Sequence, residues 1–245
     1  MANKPLPKCE GCGATGILYP VDGKSLCLKC SLELSGHSER KNGMPPDLSK
    51  ASFSNFRTDF SKEIAQGVLK PSDQSRARAS LDKAQKIVRI ISAGGQIGAV
   101  FYGENGLGKS HLVAGVVNAI GRVGKTSRWI NGEFYYSRML DLHRNGESIE
   151  NEIYEFDEDL LVIDDCSFAS DTEFFKRIIT MLVTHVIDYL HASVIITTNK
   201  TPNGLQDLVG SAVVDRIATF GLNQEFRGHS MRRVKNRESV WQSNS

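Results

Sequence analysis

The 245-residue sequence is defined first by what it does not contain. No apolar run approaches the roughly 18 residues that a membrane span requires, and the polar start lacks the charged-then-apolar layout of a signal peptide. A cytoplasmic protein with no membrane partner is expected. Net charge is only +2, so composition alone demands no nucleic acid, and any such contact must come from a local basic surface. Internal repeats and low-complexity tracts are absent. The length suits one ordinary α/β domain with a small appendage and leaves little room for two large domains.

Cysteine is scarce, and its spacing excludes a disulfide framework in a reducing compartment. Cys9 and Cys12 form one C-x-x-C knuckle, Cys27 and Cys30 a second, and Cys166 stands alone. Between the knuckles, Gly16 to Val21 and Lys24 to Leu28 read as a hairpin across the turn dipeptide Asp22-Gly23. Four thiolates around a hairpin are a zinc-ribbon layout. Structural Zn²⁺ supplies on the order of 10–16 kcal/mol in small peptides. With all four ligands thiols, no coordination position stays open for catalysis. The predicted organisation is a zinc ribbon at residues 1–35, a polar Gly- and Pro-containing linker at 36–50 that frees the ribbon to move, and an α/β domain at 51–245.

Gly103-Glu104-Asn105-Gly106-Leu107-Gly108-Lys109-Ser110 fits the phosphate-loop pattern G-x-x-x-x-G-K-[ST]. It lies between a predicted strand, Ala99-Val100-Phe101-Tyr102, and a predicted helix with Leu112, Val113, Val116, Val117 and Ile120 at helical spacing. Glycines in such a turn let backbone N–H groups point at phosphate oxygens, with the helix dipole behind them. Lys109 is expected on the β- and γ-phosphates of ATP, and Ser110 on Mg²⁺. A helix is predicted from about Asp73 to Ser92. Further strands are predicted at Ser127 to Ile130, Leu160 to Ile163 and Ser193 to Thr198, with helices at Glu133 to Arg144 and Thr172 to Leu190. The last helix should turn Phe175, Ile178, Ile179, Leu182, Val186 and Tyr189 toward a core. Strands alternating with helices imply a parallel sheet.

Leu160-Leu161-Val162-Ile163-Asp164-Asp165 delivers two carboxylates to the edge of that sheet. Asp164 is expected to hold Mg²⁺, and Asp165 to orient or deprotonate an attacking water. Asn199, at the end of the next strand, is placed to reach the water or the γ-phosphate. Taken singly, an Asp pair reads equally as a cap or turn, and Asn199 as a turn former.

Beyond these residues the sequence resembles the DnaC/DnaI helicase-loader and IstB type of AAA+ ATPase over roughly Ser52 to Arg233. The carriers are Ser52-Phe53-Ser54-Asn55-Phe56, Gly108-Lys109-Ser110-His111-Leu112, Asp164-Asp165, Thr198-Asn199, Val214-Asp215-Arg216-Ile217 and Gly228-His229-Ser230-Met231-Arg232. The resemblance implies a P-loop parallel sheet of the ASCE kind. It makes Asn199 the sensor-1 residue, Arg216 an arginine finger acting across a subunit boundary, and Arg232 the sensor-2 arginine. It also implies that Phe53 and Phe56 line the adenine pocket, and that His111 belongs to the nucleotide-binding stretch as a helix residue. Read from the residues alone, the alternatives are a surface arginine on a short helix for Arg216, part of a basic tail for Arg232, and core packing for the two phenylalanines. Two departures stand out. Asp165 occupies a place where many AAA+ proteins carry Glu, and Ala212 replaces a family arginine one turn before Arg216.

The run Arg227, Arg232, Arg233, Lys235, Arg237 concentrates positive charge, suited to phosphate backbone or to solvent. The resemblance implies single-stranded DNA, a replicative DNA helicase gripped by the ribbon, and a homo-oligomer or a mixed complex with the helicase hexamer. The rival expectations are an IstB-like transposition ATPase acting on a transposase, and an adaptor that ATP switches without hydrolysis.

Overall fold

The computed structural model describes residues 8, 10–11, 13, 18–21, 24–27, 42–167, 173–219 and 221–227. The expected hairpin forms from β1 (Leu18–Val21) and β2 (Lys24–Cys27), antiparallel, with Leu18 opposite Cys27 and Val21 opposite Lys24. Glu10 lies against β2: its N–H donates to the Ser25 carbonyl at 3.0 Å, and its carboxylate accepts the Ser25 N–H at 2.9 Å. Cys9, Cys12 and Cys30, three of the four expected zinc ligands, lie outside the described residues, as does the side chain of Cys27.

After the short helix α1 (Ser61–Ala65), helix α2 (Pro71–Ser92) starts where Pro71 presets the helical φ, and its N-terminus is closed by the Asp73 carboxylate accepting the Lys70 N–H at 2.9 Å. Ala84, Ile87 and Ile91 form its buried stripe. Strand β3 (Gly98–Gly103) and helix α3 (Lys109–Gly121) flank the phosphate loop. Next come β4 (Ser127–Asn131), α4 (Gly132–Arg144), α5 (Ile149–Tyr154) and β5 (Leu160–Asp164). Then follow α6 (Glu173–Thr184), β6 (Ser193–Thr198), α7 (Pro202–Val209), α8 (Ser211–Thr219) and β7 (Gly221–Phe226). Side-chain oxygens start three of these helices: Asn131 accepts the Glu133 and Phe134 N–H groups at 3.1 Å, Ser148 accepts that of Asn151 at 3.3 Å, and Thr201 accepts that of Gly204 at 3.3 Å.

The main sheet runs β4-β5-β6-β3-β7, every pair parallel. Its central strands are apolar over most of their length because both faces are covered. Ala99 and Phe101 of β3, Leu160 and Val162 of β5, and Ile195 of β6 face the core shared with α2 and α3. Val100, Leu161, Ile163, Val194 and Ile196 face the opposite core, filled by Met139, Ile179, Leu182, Leu205 and Ile217.

Two regions depart from the sequence reading. Residues 42–50, expected within the linker, are seated on the α/β domain at this end: Met44 is buried, the Asn42 carbonyl accepts the Trp129 N–H at 2.6 Å, and Asn118 donates to the Ser49 and Ala51 carbonyls. The predicted helix through Leu190 widens into a π-turn at His185–Tyr189, where the Leu190 N–H bonds the His185 carbonyl five residues back. Gln96 holds this turn through the Ile187 and Ala192 carbonyls. The extra residue shifts the helical phase, so Val186 and Ile187 are buried while Tyr189, expected in the core, is 74% exposed.

Candidate nucleotide site

The loop leaves β3 through a position open only to glycine. Gly103 has φ +134, and a Cβ there would run into the Phe226 carbonyl of β7. Gly106 and Gly108, at φ +81 and +88, also sit where L side chains are strained. Glu104 and Asn105 form the exposed outer turn, while Leu107 anchors the loop on the core beneath. The Leu112 N–H bonds the Gly108 carbonyl at 3.0 Å, so the helix ladder begins there and the N-terminal end of α3 is presented at the loop. Oriented N–H groups and a helix dipole meet at this point, an arrangement made for an anion. Lys109 lies back across the loop, its Nζ donating to the Gly103 and Glu104 carbonyls at 2.6 and 2.8 Å.

The sheet brings the carboxylates to the same edge. Strand β6 lies between β3 and β5, which sets the end of β5 across one strand from the loop. Asp164 Oδ1 accepts the Ser110 hydroxyl at 2.8 Å and the Thr197 hydroxyl at 2.6 Å. Burial pushes the Asp164 carboxyl above its ordinary range; the two hydroxyls and Lys109 pull it down, and Asp165 adds to the rise. A buried carboxylate whose charge is disfavoured, touching a serine hydroxyl, is a donor set that fits a hard divalent cation such as Mg²⁺. Asp165 follows in a left-handed conformation, φ +54, with its N–H on Thr197 Oγ1 at 2.9 Å and its side chain exposed. Asn199 is exposed at the end of β6, its N–H held by Ser167 Oγ at 2.7 Å. Cys166 sits fully buried with its N–H on the Thr197 carbonyl at 2.8 Å, and burial raises its thiol to about 12, so it is packing and not a nucleophile.

Lys109, Ser110, Asp164, Asp165 and Asn199 are thus gathered at one edge. Phe53 and Phe56 join them from the N-terminal side, packed half-buried against α3. Arg216 is not brought there. Its Nε pairs with Asp188 Oδ2 at 2.9 Å and its Nη1 donates to the Ala212 carbonyl. Asp188 precedes β6, and the neighbouring Ile217 packs on Gly98 at the start of β3, so Arg216 lies toward the opposite edge of the sheet from its own loop. Arg232 lies outside the described residues. Sequence reasoning missed Thr197 and Ser167 and named Thr198 only beside Asn199, yet these three fix the carboxylates and the end of β6; Thr198 donates to the Cys166 carbonyl at 2.6 Å. The signal was two threonines closing an otherwise apolar strand opposite Asp164. A cleft of about 800 Å³ at the far end of α3, lined by Met44, Asn118, Arg122, Lys125 and Glu158 among others, shares no residue with the loop.

A phosphate loop after β3, an acid at the end of β5 and an interposed β6 define a P-loop protein of the AAA+ kind. The chain belongs to the bacterial DnaA ATPase domain family, whose model matches residues 76–223. It is 26% identical over 179 residues to the replicative helicase loader DnaC of Escherichia coli K12, covering 72% of this chain and 66%, just under two thirds, of that protein. The fold matches the crystal structure of the DnaC helicase loader with TM-score 0.57 at 16% identity, over 74% of this chain and 99% of that one. AMPPCP-bound DnaA from Aquifex aeolicus matches with TM-score 0.58 at 19% identity, over 75% of this chain and 51% of that one. The resemblance to DnaC/DnaI-type AAA+ proteins holds, and so does the expected parallel sheet flanked by helices. Among the described residues no helix is long and apolar enough to cross a membrane.

Proposed function

We propose that this protein is an ATP-dependent replication factor that delivers a replicative DNA helicase to single-stranded DNA. The observation that carries the reading is the meeting of Ser110 and Thr197 on Asp164 beside a glycine loop that only glycines can form. Nucleotide phosphates would take the place of the Gly103 and Glu104 carbonyls as partners of Lys109. Mg²⁺, held by Ser110 and Asp164, would neutralise charge on the β- and γ-phosphates. Asp165 and Asn199 would orient water; the short Asp165 side chain is in keeping with slow hydrolysis. Arg216, remote from its own loop, would complete the site of a neighbouring subunit, with Arg232 closing it from the C-terminal side.

Similarity to a helicase loader over the ATPase region supports the helicase as partner. The basic run from Arg227 to Arg237 suits a DNA backbone. Cys9, Cys12, Cys27 and Cys30 would hold Zn²⁺ in a module that docks on the helicase.

Two measurements test this. ATP with Mg²⁺ should raise the melting temperature of the wild type and leave Lys109→Ala unmoved. The full chain should capture a replicative helicase, while a chain lacking residues 1–41, cut before the Met44 anchor, should not. A truncated chain that captures helicase as well as the full one refutes the role of the ribbon. Absence of ATP turnover above that of Lys109→Ala, with and without single-stranded DNA, leaves only the switched adaptor.

A further inference from the structure

The parallel ladder between β5 and β6 ends at Ile163 opposite Ile196, and past that pair hydroxyl groups join the two chains. The Asp165 N–H bonds Thr197 Oγ1 at 2.9 Å, the Asn199 N–H bonds Ser167 Oγ at 2.7 Å, and the Lys200 N–H bonds Thr198 Oγ1 at 3.1 Å. A kink makes this possible. Asp165 takes φ +54, and the Ser167 N–H bonds the Asp165 carbonyl at 2.9 Å, only two residues back. A left-handed residue other than glycine is strained, and it persists where its surroundings over-determine it. Here the bonds on either side of Asp165 do so, and the kink carries Ser167 to the end of β6.

Each hydroxyl has one proton, and the network fixes where it goes. Thr198 spends its proton on the Cys166 carbonyl at 2.6 Å, because a carbonyl only accepts. Ser167 Oγ lies 3.3 Å from Thr198 Oγ1 and therefore donates to it. The bonds run in one direction, from the Asn199 amide through Ser167 and Thr198 to the Cys166 carbonyl, so each strengthens the next. Thr198 is fully buried and cannot exchange these partners for water. The phosphate side of the site is held separately, Lys109 by the Gly103 and Glu104 carbonyls and Asp164 by Ser110 and Thr197.

We propose that Ser167 is a positioning residue: through the amide of Asn199 it fixes Asn199 against the turn that carries Asp165, so that turnover of ATP, and not its binding, depends on a hydroxyl outside the phosphate loop. This rests on the hydrolytic reading of the site given above. A lost hydrogen bond changes an equilibrium about 3- to 10-fold. If only the correctly placed Asn199 supports the reaction, turnover falls with that population.

Steady-state ATP turnover and calorimetric ATP affinity, both with Mg²⁺ and the full chain, test it on the wild type, Ser167→Ala, Ser167→Thr, Asn199→Ala and the double variant Ser167→Ala with Asn199→Ala. Ser167→Ala should lower kcat about 3- to 10-fold and leave ATP affinity unchanged, while Ser167→Thr, which keeps the hydroxyl, should restore kcat. In the Asn199→Ala background, Ser167→Ala should cost nothing further, because the group that it places is gone. An unchanged kcat in Ser167→Ala overturns the proposal, as does an equal loss of kcat and ATP affinity, which would place the defect in the loop or the fold. A full further loss in the double variant also overturns it. A wild type that binds ATP without turnover above that of Lys109→Ala overturns it while the nucleotide site stands. A wild type that binds no ATP refutes the site and the proposal together.

Discussion

Thr197→Val is the most direct probe of how the site is held. Thr197 is 1% exposed, and valine keeps its shape while replacing the hydroxyl with a methyl. The hydroxyl donates to Asp164 at 2.6 Å and accepts the Asp165 N–H at 2.9 Å. A hydrogen bond to a carboxylate contributes about 1.5–3 kcal/mol, and an amide left without its acceptor costs about 1 kcal/mol where water reaches it only partly. The sum is about 3 kcal/mol, or ~6–12 °C in melting temperature for a domain of this size. Thr197→Ser keeps the hydroxyl and loses one buried methyl, about 1 kcal/mol. Urea denaturation followed by circular dichroism, without nucleotide or Mg²⁺, should rank wild type above Ser and Ser above Val. A Val variant equal to wild type, or a Ser variant as unstable as Val, would refute the assignment of stability to the hydroxyl.

Gly103→Ala forces a side chain into φ +134 and against the Phe226 carbonyl; since both atoms are backbone-borne, the loss should exceed about 3 kcal/mol, read as a lower urea midpoint. Asp164→Asn addresses pH. Because burial raises the Asp164 carboxyl, its favourable contribution is fully present below the unfolded aspartate value and is lost as pH rises through the folded one. The stability of Asp164→Asn relative to wild type should therefore increase from pH 4 to pH 7, and a difference independent of pH would count against a strained carboxylate. Arg128→Met removes the Glu158 ion pair, the Glu155 carbonyl bond and the contact over the Phe156 ring at 4.3 Å; the expected cost is about 1–2 kcal/mol, and it should not change with Mg²⁺.

Local pattern determined the elements of this protein. Gly103 to Ser110 could be recognised because positive φ at Gly106 and Gly108 admits little else, and the strands at 98–103, 160–164 and 193–198 because runs buried on both faces are mostly apolar. Tyr189 escaped because helical periodicity assumes 3.6 residues per turn, and a π-turn held from a distance by Gln96 changes that period. Met44 escaped for a related reason: proline and glycine around it mark a loop, and whether a loop is free or seated depends on the surface it meets.

The sequence by itself marked the candidate site residues, since Lys109, Ser110, Asp164 and Asn199 sit at the ends of elements whose boundaries it encodes. Only the tertiary structure decided who their partners are. Strand order places Thr197 against Asp164 and, by setting β6 between β3 and β5, lets Ser110 reach the same oxygen across 54 positions of chain. The same order sends Arg216 to Asp188, away from the loop. Hydrogen-bond partners across a sheet are fixed by strand register and order, and these arise from packing two cores at once, which no local stretch of sequence contains.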